Sequence, residues 1–281
     1  MPRLNLILAG AQRSATTSLK RALAASSDIQ FVSNKPETLS HQGNYVGFPF
    51  ATPFSSRSMI GMEDGGAFYE SITASLPKAR YYATKWPYFM VFPHIACNIR
   101  QHLPDAMILF ILRNPTDCLW SSFKKRYEGD DVAADFNTYV EKGINAIEDG
   151  WDPSNRSKWQ HMFFHEDRDS VTIDRGFYYP QLMNFVHLFG WSHVHVVNYE
   201  DFADRPSGAV SRIFSWLDVP EPGNYDELET RHNSSREHAT EQVASARMDD
   251  ETRATLDSFY GPSNRLLCEY LDWDLAAWTR A

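Results

Sequence analysis

Several things are scarce in this chain, and each scarcity excludes something. Only three cysteines stand among 281 residues, Cys97, Cys118 and Cys268, with no Cys-x-x-Cys and no Cys/His cluster. A disulfide framework and a zinc site are thereby excluded. No segment offers the roughly eighteen uninterrupted apolar residues that a membrane-crossing helix needs. The first apolar run, from Leu4, stops at Gln12 and Arg13 and is too short for a signal-peptide core. Positive charge is also short, with 27 Lys and Arg against 36 Asp and Glu and a formal charge of −9. Such a balance excludes a broad nucleic-acid or anionic-membrane face but leaves room for a local basic pocket. Internal repeats and clear linkers are absent. The expectation is a single domain over residues 1–281, cytoplasmic and reduced, in which the Asn155 and Asn233 glycosylation patterns carry no meaning.

What is present is ordinary globular composition, 43% hydrophobic and 22% charged. The eight Trp point to a pocket or interface as well as a core. Strand and helix signals alternate. Leu4, Ile7 and their neighbours make a run apolar on both faces, the pattern of a central parallel strand. A turn over Gly10–Ala15 leads into a helix over Thr16–Ala25. Strands are predicted at Ile29–Val32, Arg80–Thr84, Met107–Leu112 and His193–Asn198. Helices are predicted at Ala67–Leu76, Tyr88–His102, Thr116–Glu128, Ala134–Asp149, Gly176–Phe189 and Pro206–Leu217. A further helix over Asp249–Tyr270 is interrupted at Gly261-Pro262. Residues 38–66 read as a long loop suited to a lid or binding role. The alternation predicts an α/β fold with a parallel sheet and right-handed crossovers. Ligands of such sheets bind beyond the carboxyl ends of the strands. Gly10–Thr17, Lys35–Glu37, Lys85 and Arg113–Ser121 all follow strands, so they are expected at one edge.

The turn Gly10-Ala-Gln-Arg-Ser-Ala-Thr-Thr17 has the order that aims backbone N–H groups at an anion. An ATP-binding P-loop reads GxxxxGK[ST], and here the lysine position is Thr16, so Mg·ATP is poorly served. Three hydroxyls and Arg13 suit a smaller anion. The plain alternative is a strand–helix turn with N-capping hydroxyls. Arg113 ends a buried strand, and Ser121 lies two helical turns on, near the same face. Guanidinium and hydroxyl together make a phosphate clamp. Pairing of Arg113 with Asp117 or Glu200 is the competing reading.

These two stretches together resemble the sulfotransferases that use 3′-phosphoadenosine 5′-phosphosulfate (PAPS), in their carbohydrate-type and bacterial branch. Gln12-Arg-Ser-Ala-Thr-Thr17 is similar to the family's 5′-phosphosulfate loop, a basic residue followed by S/T-G-T-T. Arg113-Asn-Pro with Ser121 is similar to its 3′-phosphate element. Looser likeness continues through Gly176–Leu182, Val196–Asp201 and Tyr260–Asn264. Two positions depart from the pattern: Ala15 stands at the usual Gly, and Arg13 where many members have Lys.

The resemblance implies a P-loop-like three-layer sandwich, a central parallel sheet flanked by helices. It implies sulfuryl transfer from PAPS to an acceptor hydroxyl of a sugar or other small molecule, leaving 3′,5′-ADP (PAP). Donor-binding residues would be Gln12, Arg13, Ser14, Ala15, Thr16, Thr17, Arg113, Ser121 and Arg236. The residue before a proline is extended, so Lys35 and Glu37 of Lys-Pro-Glu face one way. The resemblance makes Glu37 the general base, with Arg13, Lys35 and Lys85 around the sulfuryl group. A surface ion pair is the other reading of Lys35 and Glu37. Lys85-Trp-Pro carries no His where aryl-type members place their base. No metal is implied, and neither a nucleic-acid nor a membrane partner. A nucleotide kinase or NTPase, or a non-catalytic nucleotide-binding protein, remains the alternative.

Overall fold

The computed structural model describes residues 3–32, 73–74, 76–126, 131–148, 173–222, 243 and 245–278. The predicted helix over Ala67–Leu76 lies mostly outside these residues, and the 38–66 loop lies wholly outside them. The chain divides into two compact units. One comprises Met1–Ala11, Ala15–Leu112 and Asn184–His232, and the other Gln12–Ser14, Arg113–Met183 and Asn233–Ala281.

The first unit is built on five parallel strands: β1 Leu4–Gly10, β2 Ile29–Phe31, β3 Tyr81–Lys85, β4 Met107–Leu112 and β5 Val194–Asn198. Their order is β2-β3-β1-β4-β5. β1 is central because its side chains are apolar on both faces, with Leu6, Ile7, Leu8 and Ala9 fully buried. In the order of the sheet, β1 leads away to one side and β4 to the other. The carboxyl ends of β1 and β4 therefore flank the reversal of strand order, where open α/β sheets take ligands.

The period-two pattern of the strands sorts their side chains to two faces. Leu6, Leu8, Ala83, Leu109 and Ile111 pack with α1 (Thr16–Ala24) through Leu19 and Leu23, and with the helix Pro206–Leu217 through Val210, Ile213 and Phe214. On the opposite face Phe110 meets Phe185 edge-on, centroids 5.2 Å apart, and Met90 lies against Gly10. A Cβ on Gly10 would come within 2.1 Å of the Met90 sulfur, so any side chain there would have to displace Met90.

The second unit is helical. It contains α3 (Pro115–Arg126), α4 (Val132–Glu148) and the long C-terminal helix Asp250–Leu271, with α2 (Pro93–His102) assigned to the first unit. Leu119 and Trp120 of α3, Phe136 and Val140 of α4, and Leu256 and Tyr260 of the C-terminal helix form its core. Among the described residues the other helices are, in chain order, α5 (Tyr178–Phe189), α6 (Tyr199–Asp204), α7 (Pro206–Leu217) and α8 (Asp250–Leu271).

Three predicted elements are corrected and one helix is added. The helix expected over Tyr88–His102 is a 3₁₀ turn at Phe89–Val91 followed by α2, because Phe92 precedes proline and is extended at φ −116°. The helix expected from Gly176 begins at Tyr178, after a 3₁₀ turn at Ile173–Gly176. A short helix not predicted from the sequence, α6, opens at Tyr199 just after the strand, because the Asn198 side chain accepts hydrogen bonds from the N–H groups of Glu200 and Asp201. The break expected at Gly261-Pro262 does not occur: α8 runs through it. Tyr260, Gly261, Asn264 and Leu267 are buried on one side, and that packing outweighs the hydrogen bond that Pro262 removes.

Candidate active site

The turn after β1 is tight. Arg13 and Ala15 both have positive φ, 66° and 59°. Ala15 sits at the N-cap of α1 and offers no side-chain cap. Hydroxyl capping by the N-cap residue, the plain reading of this turn, is therefore not what is found. The helix opens with backbone N–H groups and no acidic residue in its first turn, the arrangement that favours a bound anion.

In the first unit, Thr17 of α1 meets Lys85 at the end of β3, whose Nζ donates to Thr17 Oγ1 at 2.8 Å. Two of the predicted site residues, 68 positions apart, are thus brought together. Thr16 beside them is buried.

In the second unit, the tip of the same turn meets α3. Arg13 Nε donates to Ser121 Oγ at 3.0 Å across 108 residues. The basic residue of one motif and the serine of the other are direct neighbours. Ser14 is fully buried, its hydroxyl 3.3 Å from the Cys118 sulfur. Tyr178 also hydrogen-bonds that sulfur, and burial pushes the Cys118 thiol and Tyr178 phenol up from their ordinary values. Cys118 is therefore an inert buttress for the turn rather than a nucleophile. Gln12 Oε1 accepts from Arg175 Nη1 at 2.5 Å.

α3 begins as the Arg-Asn-Pro sequence suggests. Asn114 Oδ1 accepts from the Asp117 N–H, and the Asn114 amide donates to the Trp278 carbonyl at 2.6 Å. Proline occupies the first position of the helix, where its missing N–H costs nothing. Arg113 Nη2 lies 3.8 Å from Asp117 Oδ2, so the competing ion pair exists but is long. Asp117 is held more closely by Arg253, whose Nη2 donates to Asp117 Oδ1 at 2.8 Å. Lys124, four residues before Glu128 in sequence, has its pKa lowered by burial and then by the Arg113 charge.

Lys35, Glu37 and Arg236 lie outside the described residues. Sequence reasoning did not single out Arg175 or Arg253 as site-forming residues. Their signal was weak, because each becomes relevant only through a partner more than 100 residues away.

A parallel sheet of this order, with an anion-suited turn after its central strand, defines a P-loop-like α/β protein. The chain belongs to the sulfotransferase family, whose sequence model matches residues 6–223. Carbohydrate sulfotransferase 15 of Rattus norvegicus and of Mus musculus are each 23% identical over 181 residues, 64% of this chain. The matched region spans about a third of those relatives, 32% of their length. Among solved structures, a sulfotransferase from Alicyclobacillus acidocaldarius superposes with a TM-score of 0.68 at 21% identity, covering 100% of both chains. The mouse sulfotransferase SULT7A1 complexed with PAP gives 0.51 at 12% identity, covering 94% of this chain and 86% of its own. These likenesses establish the fold. Among the described residues, no helix is long and apolar enough to cross a membrane.

Proposed function

We propose that this chain transfers a sulfuryl group from PAPS to the hydroxyl of a carbohydrate or other small-molecule acceptor, giving a sulfate ester and PAP. Family membership supports sulfotransfer, and the PAP bound by the mouse neighbour supports this choice of donor. The observation that carries the reading is the Arg13–Ser121 hydrogen bond. It joins the two motifs that an adenosine 3′,5′-bisphosphate end group would need together.

The residues fit such a donor. The turn N–H groups, Gln12, Arg13, Ser14, Ala15, Thr16 and Thr17 take the phosphosulfate, and Arg113 and Ser121 the 3′-phosphate, with Arg236 covering it. The donor supplies an activated sulfuryl group on a phosphate leaving group. Glu37 accepts the acceptor hydroxyl's proton, a contribution of about 10²–10⁴-fold for general bases. Lys35 and Lys85 hold positive charge beside the sulfuryl oxygens, and Lys85 is already oriented by Thr17. Preorganised charge of this kind is the larger contribution in most active sites. The whole chain, 1–281, acts as one sulfotransferase domain in the cytoplasm.

The test is PAP binding and sulfate transfer by the full chain. PAP without metal should raise the melting temperature, equivalent to about 2.7 kcal/mol at a hundredfold over Kd. Mass spectrometry should then find a sulfate on one class of hydroxyl acceptor, and Glu37→Gln should keep PAP binding while losing that product. Stabilisation by Mg·ATP and not by PAP would sink the reading in favour of a kinase or NTPase.

A further inference from the structure

Asp117 stands between two arginines, and it is not shared equally. Its Oδ1 receives Arg253 Nη2 at 2.8 Å, whereas Arg113 Nη2 is 3.8 Å from Oδ2. All three side chains are about three-quarters buried, with exposures of 25%, 22% and 28% for Arg113, Asp117 and Arg253. Charge in such a place is weakly screened, so the choice of partner matters. Arg113, two residues before α3, and Asp117 in its first turn are four residues apart, close enough for an ion pair to form. Left alone, Asp117 would close on Arg113 and cancel its charge.

The other groups facing this cluster make Arg253 the deciding one. Asp257, one turn further along α8, is the second acid near Arg253. It is already taken by Thr116, whose Oγ1 donates to Asp257 Oδ1 at 2.6 Å. Lys124 is a second cation near Arg113 and repels it rather than neutralising it. The pair of arginines and one acid therefore carries a formal charge of about +1, and without Arg253 it would carry none.

We infer that Arg253 is a positioning residue for the donor's 3′-phosphate: by holding Asp117 in α3 it draws that carboxylate away from Arg113 and leaves more of the guanidinium's charge for the anion. The inference rests on the proposed role of Arg113 in the sulfotransferase reading. Arg253 itself need not touch the nucleotide. A purely structural role for Arg253 predicts lost stability, but no dependence on the charge of Asp117.

The experiment is calorimetric titration of PAP into the full chain and into Arg253→Ala, Asp117→Asn and the double variant. Arg253→Ala should weaken PAP binding by about tenfold. Asp117→Asn should shift it by about twofold at most, and the double variant should return to within about twofold of the original. The rescue is the decisive readout, since a packing defect would persist in the double variant. Unchanged affinity in Arg253→Ala, or a double variant as weak as Arg253→Ala, overturns the inference. If Arg253→Ala does not fold, Arg253→Gln carries the same expectation with less packing lost. Failure of the original chain to bind PAP would count against the sulfotransferase reading itself, and so is distinguishable from a flat cycle in a chain that binds.

Discussion

Ala15 has a backbone that an alanine adopts reluctantly. At φ 59° and ψ 24° it occupies the left-handed region, where a Cβ costs about 1–2 kcal/mol. The resemblance noted in the sequence has glycine at this position, and the geometry gives the reason. Ala15→Gly should relieve that strain, less the extra unfolded-state freedom of glycine, about 0.4–1 kcal/mol. The expected outcome is a net stabilisation of about 0–1.6 kcal/mol, measured as an increased urea midpoint. A decreased midpoint would mean that the left-handed cost is offset by contacts of the Ala15 methyl. At this scale the sequence supplied the residue types of the proposed site. Arg13, Thr17, Arg113 and Ser121 follow from the two motifs together with the family resemblance, and the structure places Arg13 against Ser121. Which atom meets which was not legible: Lys85 could be assigned to a strand end, but not to the hydroxyl of Thr17.

Among elements, the strands and amphipathic helices were read well because their periodicity is local. Met107–Leu112 and Pro206–Leu217 have the bounds their patterns predict. The errors came where a local signal was outweighed or overlooked. Pro262 reads as a break, yet α8 continues through it because its buried side is held on both sides of the proline. Asn198 is an ordinary N-cap followed by two acids, a start signal that was passed over in favour of the strand before it. Packing between elements also fixes Gly176. A Cβ there would lie 2.4 Å from Tyr260 Cε1 of α8 and 2.8 Å from Pro115 Cβ of α3. Tyr260 cannot swing away easily, since it is fully buried and its hydroxyl donates to the Ile173 carbonyl at 2.7 Å. Gly176→Ala should therefore destabilise the chain by about 1–3 kcal/mol, the usual cost of overpacking. A thermal or urea melt showing no loss would mean that the approach relaxes at little cost.

At the scale of the molecule, stability should depend on pH through one half-buried histidine. His195 of β5 stacks on Trp216, centroids 5.1 Å apart, and its pKa falls to about 4, chiefly through burial and secondarily through the Arg212 charge. The unfolded imidazole takes up its proton near pH 6.5, while the folded one stays neutral until about pH 4. The unfolded state thus binds more protons between those values, and stability falls as pH drops through that window. About 3 kcal/mol is the upper figure for the full span. His195→Gln should reduce the difference in unfolding free energy between pH 7 and pH 4.5, whatever it does to stability at pH 7. An identical pH slope in both proteins would remove His195 from the acid limb.

The sequence by itself determined the α/β class, the central position of β1 and the presence of the two strand-end motifs proposed to hold the donor. Those depend on side-chain type and short spacing, which the chain carries from one residue to the next. The tertiary structure decided what distance in sequence conceals. It set Arg13 against Ser121 across 108 residues, and it gave Asp117 to Arg253 rather than to its own neighbour Arg113. The physical reason is that an acid chooses its partner by the distance and burial of the charges around it. Both are set only when helices far apart in sequence pack together.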